Sequence, residues 1–302
     1  MGRIFKILLL TVPTLGLMSG VVLAHEKNYK GEREPHEPDT HKPDPVSGGG
    51  GHENLSGAAT NPIANLVQFQ IQNQYTPNNN NVDGSSNVFS LQPVIPIKLS
   101  SEAVPLLVTR TTLPYINTPD FDGGVGNKEG FGDLVTQGYF IPKLDTRGVM
   151  IGIGYNLTIP TAGSNEFTGS GKWSLGPGLV YFNLRTPGFQ WGLLNYSSFS
   201  FATNDTGQDT HRSHVSVTNL QPIATWHWGE GWYAGTPDIP QTYNFKTEHW
   251  TTAIGGRLGK VMKFGAQPVN LFGQVTYNSE DHDNEVSPEW SYKVNLTFLF
   301  PK

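Results

Sequence analysis

His214 and Ser216 form the sharpest catalytic pairing in this chain. On a strand, positions i and i+2 share a face, which sets a base beside a hydroxyl and can activate a serine nucleophile. The run Ser279-Glu-Asp-His-Asp-Asn-Glu285 gathers carboxylates that could hold calcium. It lacks the spacing of a dedicated site, so a solvated loop is the simpler reading. His25, His36, His41 and His52 lie among carboxylates and prolines, a composition suited to weak zinc or copper binding. Their spacings match no compact metal site. Gly123-Gly-Val-Gly126 is glycine-rich, but no helix follows it, which argues against a phosphate-binding loop. No cofactor is implied, and no catalytic or metal-ligating set is complete. The chain is expected to be no enzyme, with a hydrolase using His214 and Ser216 as the alternative.

The elements that carry these residues are strands. In Ser291–Phe300, Tyr292, Val294, Leu296, Phe298 and Phe300 fall on one face. Ser291, Lys293, Asn295 and Thr297 fall on the other, with Leu299 the one breach. Val67, Phe69 and Ile71 alternate with Gln68, Gln70, Gln72 and Gln74, and residues 149–159 repeat the pattern. Alternation of this length is a strand signal. Twelve strands are expected, at 66–75, 87–98, 104–116, 131–142, 148–159, 172–184, 189–201, 214–228, 232–243, 248–261, 268–278 and 290–300.

Ahead of them stands an export signal: Arg3 and Lys6, an apolar run from Ile7 to Val22, and small residues ending at Ala24. Residues 25–60 hold almost no large apolar side chain and are expected to form a disordered periplasmic tail. Residues 61–302 are expected to form the folded domain. Only 36% of residues are hydrophobic, and no later run suits a spanning helix. Strands that are apolar on one side and polar on the other cross a membrane as a closed barrel. There is no cysteine to staple a soluble scaffold. The net charge of −5, without a basic patch, argues against nucleic acid as a partner.

The fold class expected is therefore all-β, a transmembrane antiparallel up-and-down barrel of about twelve strands in the bacterial outer membrane. Long polar connections alternate with short turns, as outer loops alternate with periplasmic hairpins, and only the ninth connection, near Asn244, is short out of turn. The tryptophans sort the same way. Trp173, Trp250 and Trp290 fall at the outer rim, and Trp191, Trp226, Trp228 and Trp232 at the inner rim, as aromatic girdles do. Pro93, Pro177 and Pro222 interrupt proposed strands and are expected to mark bulges or kinks. The inward face supplies the candidate lumen residues Gln68, Gln70, Gln72, Gln92, Arg110, Asn156, Arg257, Gln274, Lys293 and Asn295. A charge facing lipid near the midplane costs ~2–4 kcal/mol, which turns Arg110 and Arg257 inward. There they could select anionic solutes or pair with acidic groups. An open pore and a barrel filled by its own polar network both fit twelve strands.

Several stretches resemble a family of bacterial outer-membrane transporters, often labelled neuromedin U and related to phenol meta-pathway outer-membrane proteins. They are Asn61-Pro-Ile-Ala-Asn-Leu66, Leu91-Gln-Pro-Val-Ile-Pro-Ile97, Gly169-Ser-Gly-Lys-Trp-Ser-Leu-Gly-Pro-Gly178, Asn219-Leu-Gln-Pro222, Lys263-Phe-Gly-Ala-Gln-Pro-Val269, Pro288-Glu-Trp290 and Phe298-Leu-Phe-Pro-Lys302. The resemblance implies an outer-membrane barrel that passes small, including hydrophobic or aromatic, molecules. It brings no catalytic residue. The His-x-Ser at 214–216 also resembles that of the outer-membrane phospholipases, but Val217-Thr218 follows where that family carries Asn-Gly. The partners expected are outer-membrane lipid, the barrel-assembly machinery and a small-molecule solute.

Overall fold

The structure, a computed structural model, describes residues 52–120, 128–162, 167–203, 213–278 and 287–301. The export signal, His25, His36 and His41, Gly123–Gly126 and the acidic loop 279–285 lie outside the described residues.

One antiparallel sheet closes on itself. Its strands are β1 (Val67–Thr76), β2 (Ser86–Lys98), β3 (Leu106–Asn117), β4 (Leu134–Ile141), β5 (Val149–Ile159) and β6 (Lys172–Thr186). They continue with β7 (Phe189–Thr203), β8 (Ser216–Trp228), β9 in two pieces (Trp232–Gly235 and Gln241–Asn244), β10 in two pieces (His249–Thr251 and Ala253–Phe264), β11 (Gln267–Asn278) and β12 (Trp290–Phe300). Each pairs with its sequence neighbours, and β12 pairs with β1 from Val67↔Phe300 to Tyr75↔Tyr292. The result is a closed barrel of twelve strands with no free edge.

Side-chain alternation sorts the wall. Ile95, Ile153, Leu179, Phe201, Leu258, Val294 and Phe300 are exposed on the outside, an apolar band suited to lipid. Gln68, Gln72, Gln92, Asn156, Gln274 and Asn295 are buried within. Both chain ends leave from the end that carries the short turns, which is the periplasmic end of an outer-membrane barrel. Glycine at 259 is required by a close approach inside the wall. A Cβ there would sit 2.4 Å from the ring of inward Tyr233 and 2.8 Å from Phe272.

Three sequence expectations change. First, Pro93 and Pro177 make no bulge. Register runs on from Leu91↔Leu113 to Val94↔Arg110, and from Leu175↔Phe199 to Gly178↔Tyr196, with only the intervening rungs lost. The β6–β7 irregularities fall instead between Trp173 and Ser174 and between Asn183 and Thr186. Second, β9 is not one strand. At 236–240 it leaves the wall beside Pro222, which has no N–H to offer a neighbour. Thr236 Oγ1 bridges the site, donating to Pro222 O (3.0 Å) and accepting from Ala224 N (3.0 Å).

Third, the segment assigned to a disordered tail ends in a helix, α1 (His52–Thr60). Thr60 Oγ1 donates to Ser56 O (3.2 Å), and Pro62 stops the helix. Asn61 Oδ1 then accepts from Ile63 N (3.0 Å) and shapes the turn into β1. Leu55, Ala58 and Ala59 fall on one helix face at i, i+3 and i+4. With Ala64 and Leu66 they pack on Tyr233, Val261, Phe272 and Leu299. Ile63 is fully buried among Val94, Val108, Tyr139, Val180, Phe182, Leu194 and Ile223. These partners are inward residues of the wall near its periplasmic end. Residues 55–66 therefore plug the barrel, and Leu299, the breach in the last strand, is a plug contact.

Candidate functional site

The lumen above the plug is the candidate site. Its floor is Ala59, Thr60, Asn61 and Pro62, and its walls include Gln68, Gln70, Gln92, Arg110, Asp238, Arg257, Asn270, Asn295 and Thr297. Val94, Ile223 and Phe272 add apolar surface on three walls. The space open to water centres is about 50 Å³, enough for a few waters or one short organic molecule.

Strand parity and regular pairing place the polar groups. Gln68, Gln70 and Gln72 stand on one face of β1 and link in series: Gln70 Nε2 donates to Gln68 Oε1 (3.1 Å) and Gln72 Nε2 to Gln70 Oε1 (2.8 Å). Gln72 Nε2 also donates to Gln92 Oε1 (3.0 Å), and Gln92 Nε2 to Thr112 Oγ1 (2.6 Å). The chain of amides thus runs from β1 to β3. On β12, Asn295 Nδ2 donates to Thr297 Oγ1 (2.8 Å). On β5, Asn156 Nδ2 donates to Ser198 Oγ of β7 (2.6 Å), farther around the ring from the cavity floor.

Asp238 is the group that sequence reasoning missed. It sits at the centre of the stretch where β9 leaves the wall, and its backbone N donates to Gln274 Oε1 (2.6 Å). Gln221 Nε2 donates to its carboxylate (2.9 Å), and Lys293 Nζ pairs with it at 3.3 Å while also donating to Asp238 O (2.8 Å). The sequence signal was present in Thr236-Pro-Asp-Ile-Pro240, where two prolines make an uninterrupted strand unfavourable. Lys293 thus holds an inward loop rather than standing free in the lumen.

The arginines are engaged differently. Arg257 donates to Thr225 Oγ1 (3.3 Å) and lies over the Tyr233 and Phe272 rings at 5.9 and 5.6 Å, while its buried Nε has no protein partner. Arg110 lies beside Val94 on the opposing strand and lines the same cavity. Lys293 pairs with Asp238 directly and both guanidiniums act on the same carboxylate, so the three cations outnumber the one negative group there.

At the plug, His227 on β8 meets both hydroxyls of α1. Its Nδ1 is 2.9 Å from Ser56 Oγ and its Nε2 is 3.2 Å from Thr60 Oγ1. Thr60 Oγ1 also lies 3.3 Å from Gln190 Oε1.

The tryptophans occupy strand ends: Trp173, Trp250 and Trp290 at the loop end, Trp191, Trp226, Trp228 and Trp232 at the plug end. Tyr277–Trp290 and Phe189–Trp226 ring pairs, both with centroids 4.8 Å apart, mark the two levels. His214 and Ser216 are not joined. The His214 ring meets Ser200 Oγ at 3.3 Å, while Ser216 pairs with Phe199, a residue of the outer face.

Closed wall, apolar exterior and polar interior define a β-barrel of the bacterial outer-membrane class. An outer membrane channel from Pseudomonas putida F1 has the same fold, with a TM-score of 0.55 and 15% identity over 80% of this chain and 98% of that one. Outer membrane phospholipase A from Escherichia coli aligns with a TM-score of 0.41 and 14% identity over 80% of this chain and 93% of its own. No protein-family model and no curated protein sequence matches the chain.

Proposed function

We propose that this protein is a passive outer-membrane channel for small molecules, with its N-terminal segment acting as a plug at the periplasmic end. The observation that carries the reading is the division of the lumen. A polar inner face lines the wall down to a plug that is a separate segment preceding β1, so the obstruction can move without opening the ring. The channel described from Pseudomonas putida shares the fold and supports the reading. The resemblance to transporters labelled neuromedin U and to phenol meta-pathway proteins supports hydrophobic or aromatic small molecules as cargo. Lumen polar groups contact the solute, with Arg110 and Arg257 biasing its charge. Aromatic Phe300 closes β12, the strand that seals the ring, which suits recognition by the barrel-assembly machinery.

In this reading the protein carries out no catalysis; the contact of His214 with Ser200 rather than Ser216 supports it. Refolded full-length protein in planar bilayers tests both points. Discrete conductance steps, with no calcium-dependent fatty-acid release from phospholipid, are expected. A verified folded barrel that gives no conductance and admits no solute into liposomes is a filled barrel, and the channel reading then fails.

A further inference from the structure

Arg110 and Arg257 stand on β3 and β10, which lie five strands apart around a twelve-strand ring and therefore nearly face each other. Both line the cavity above the plug. The carboxylate near them, Asp238, is bonded by Lys293 and Gln221 and also feels both guanidiniums, so three cations share one negative group. Arg110 acts on Asp238 only through space alongside Arg257, and Arg257 Nε is buried without a partner. Two guanidiniums with spare donors at one cavity are matched by an anion, since each N–H fork fits a carboxylate bidentately. The chain as a whole carries −5, so this local excess opposes the overall charge.

The rest of the cavity narrows the ligand class. Val94, Ile223 and Phe272 give it apolar surface on three separate walls, β2, β8 and β11. An inorganic anion leaves that surface without contact, whereas a short carboxylate sets its hydrocarbon body against part of it. We infer that the lumen holds a binding site for small organic monocarboxylates, with the head group drawn to Arg110 and Arg257 and the hydrocarbon body against the apolar residues of the cavity wall. The inference rests on the lumen being the solute route, and it names the solute class.

Equilibrium binding to the full-length folded barrel in detergent tests the site apart from transport. Butyrate, butylammonium and butanol share one body and differ in the head. Saturable butyrate binding is expected, with neither of the others competing. Arg110→Gln weakens it about tenfold, the scale of one charge-assisted hydrogen bond. Arg257→Gln weakens it similarly. Because Arg257 also supports Thr225 and two rings, Arg110→Gln is the decisive variant should the other not fold. Equal binding of all three probes, no butyrate binding, or unchanged binding in Arg110→Gln overturns the site. Conductance without butyrate binding removes the site and leaves the channel. Butyrate binding without conductance removes the channel and leaves the site.

Discussion

Ile63→Ala should loosen the plug and leave the wall intact. Ile63 is fully buried, and its neighbours Val94, Val108, Tyr139, Val180, Phe182, Leu194 and Ile223 all belong to the barrel. The substitution removes about three methylene equivalents at ~0.8 kcal/mol each. The cavity left behind adds to this, because the neighbours are fixed by wall hydrogen bonds and collapse only partly. The total is about 3 kcal/mol, all of it lost from the docked state, since the same side chain meets water or lumen when the plug is out. At 1.4 kcal/mol per decade this multiplies the undocked population by roughly 150. Amide hydrogen exchange reads it directly. Amides of residues 52–66 should exchange about two decades faster, while those of β1 and β12 keep their protection. Val294→Ala, on the lipid face, should change neither. Equal acceleration in plug and wall refutes the reasoning, because it makes the plug part of the cooperative barrel. Unchanged plug exchange refutes it as well.

Asp238→Asn removes the negative member of the Lys293 pair and leaves a third cation in the lumen. Bi-ionic reversal potentials should shift several-fold toward anions; no shift, or one toward cations, contradicts the charge assignment. Gly259→Ala drives a methyl into the Tyr233 ring and should cost about 1–3 kcal/mol. The temperature at which the folded electrophoretic band is lost should fall, whereas Gly273→Ala, where a Cβ meets nothing within 4 Å, should leave it unchanged.

The wall was legible because its physics is local. Parity in Val67–Thr76 and Trp290–Phe300 sets which side chains face lipid, and the β1–β12 seam follows from the need to leave no edge. The plug was not legible from its own residues. His-Glu-Asn-Leu-Ser-Gly-Ala-Ala-Thr contains a glycine and one large apolar side chain, so an isolated chain gains little by forming that helix. The gain comes from the inside of the barrel, which residues 52–60 do not encode. The signal lay elsewhere, in Val94, Val108, Val180, Leu194, Ile223 and Leu299, apolar residues on the face that parity gives to water. Asp238 escaped for a similar reason: its surroundings come from β8, β11 and β12, and only the paired prolines hinted that β9 breaks there. The two arginines could be turned inward from lipid cost alone, but their shared cavity required the ring.

The seam between β1 and β12 also orders events in time. It joins the two ends of the domain, so it is the longest-range pairing in the wall and the slowest to form in terms of chain closure. The plug is tethered directly ahead of β1, and Leu299, one residue from the end of β12, packs against its Ala64 and Leu66. Closing the ring and seating the plug therefore draw on the same contact. Completing the wall also sets the base of the plug against its last strand.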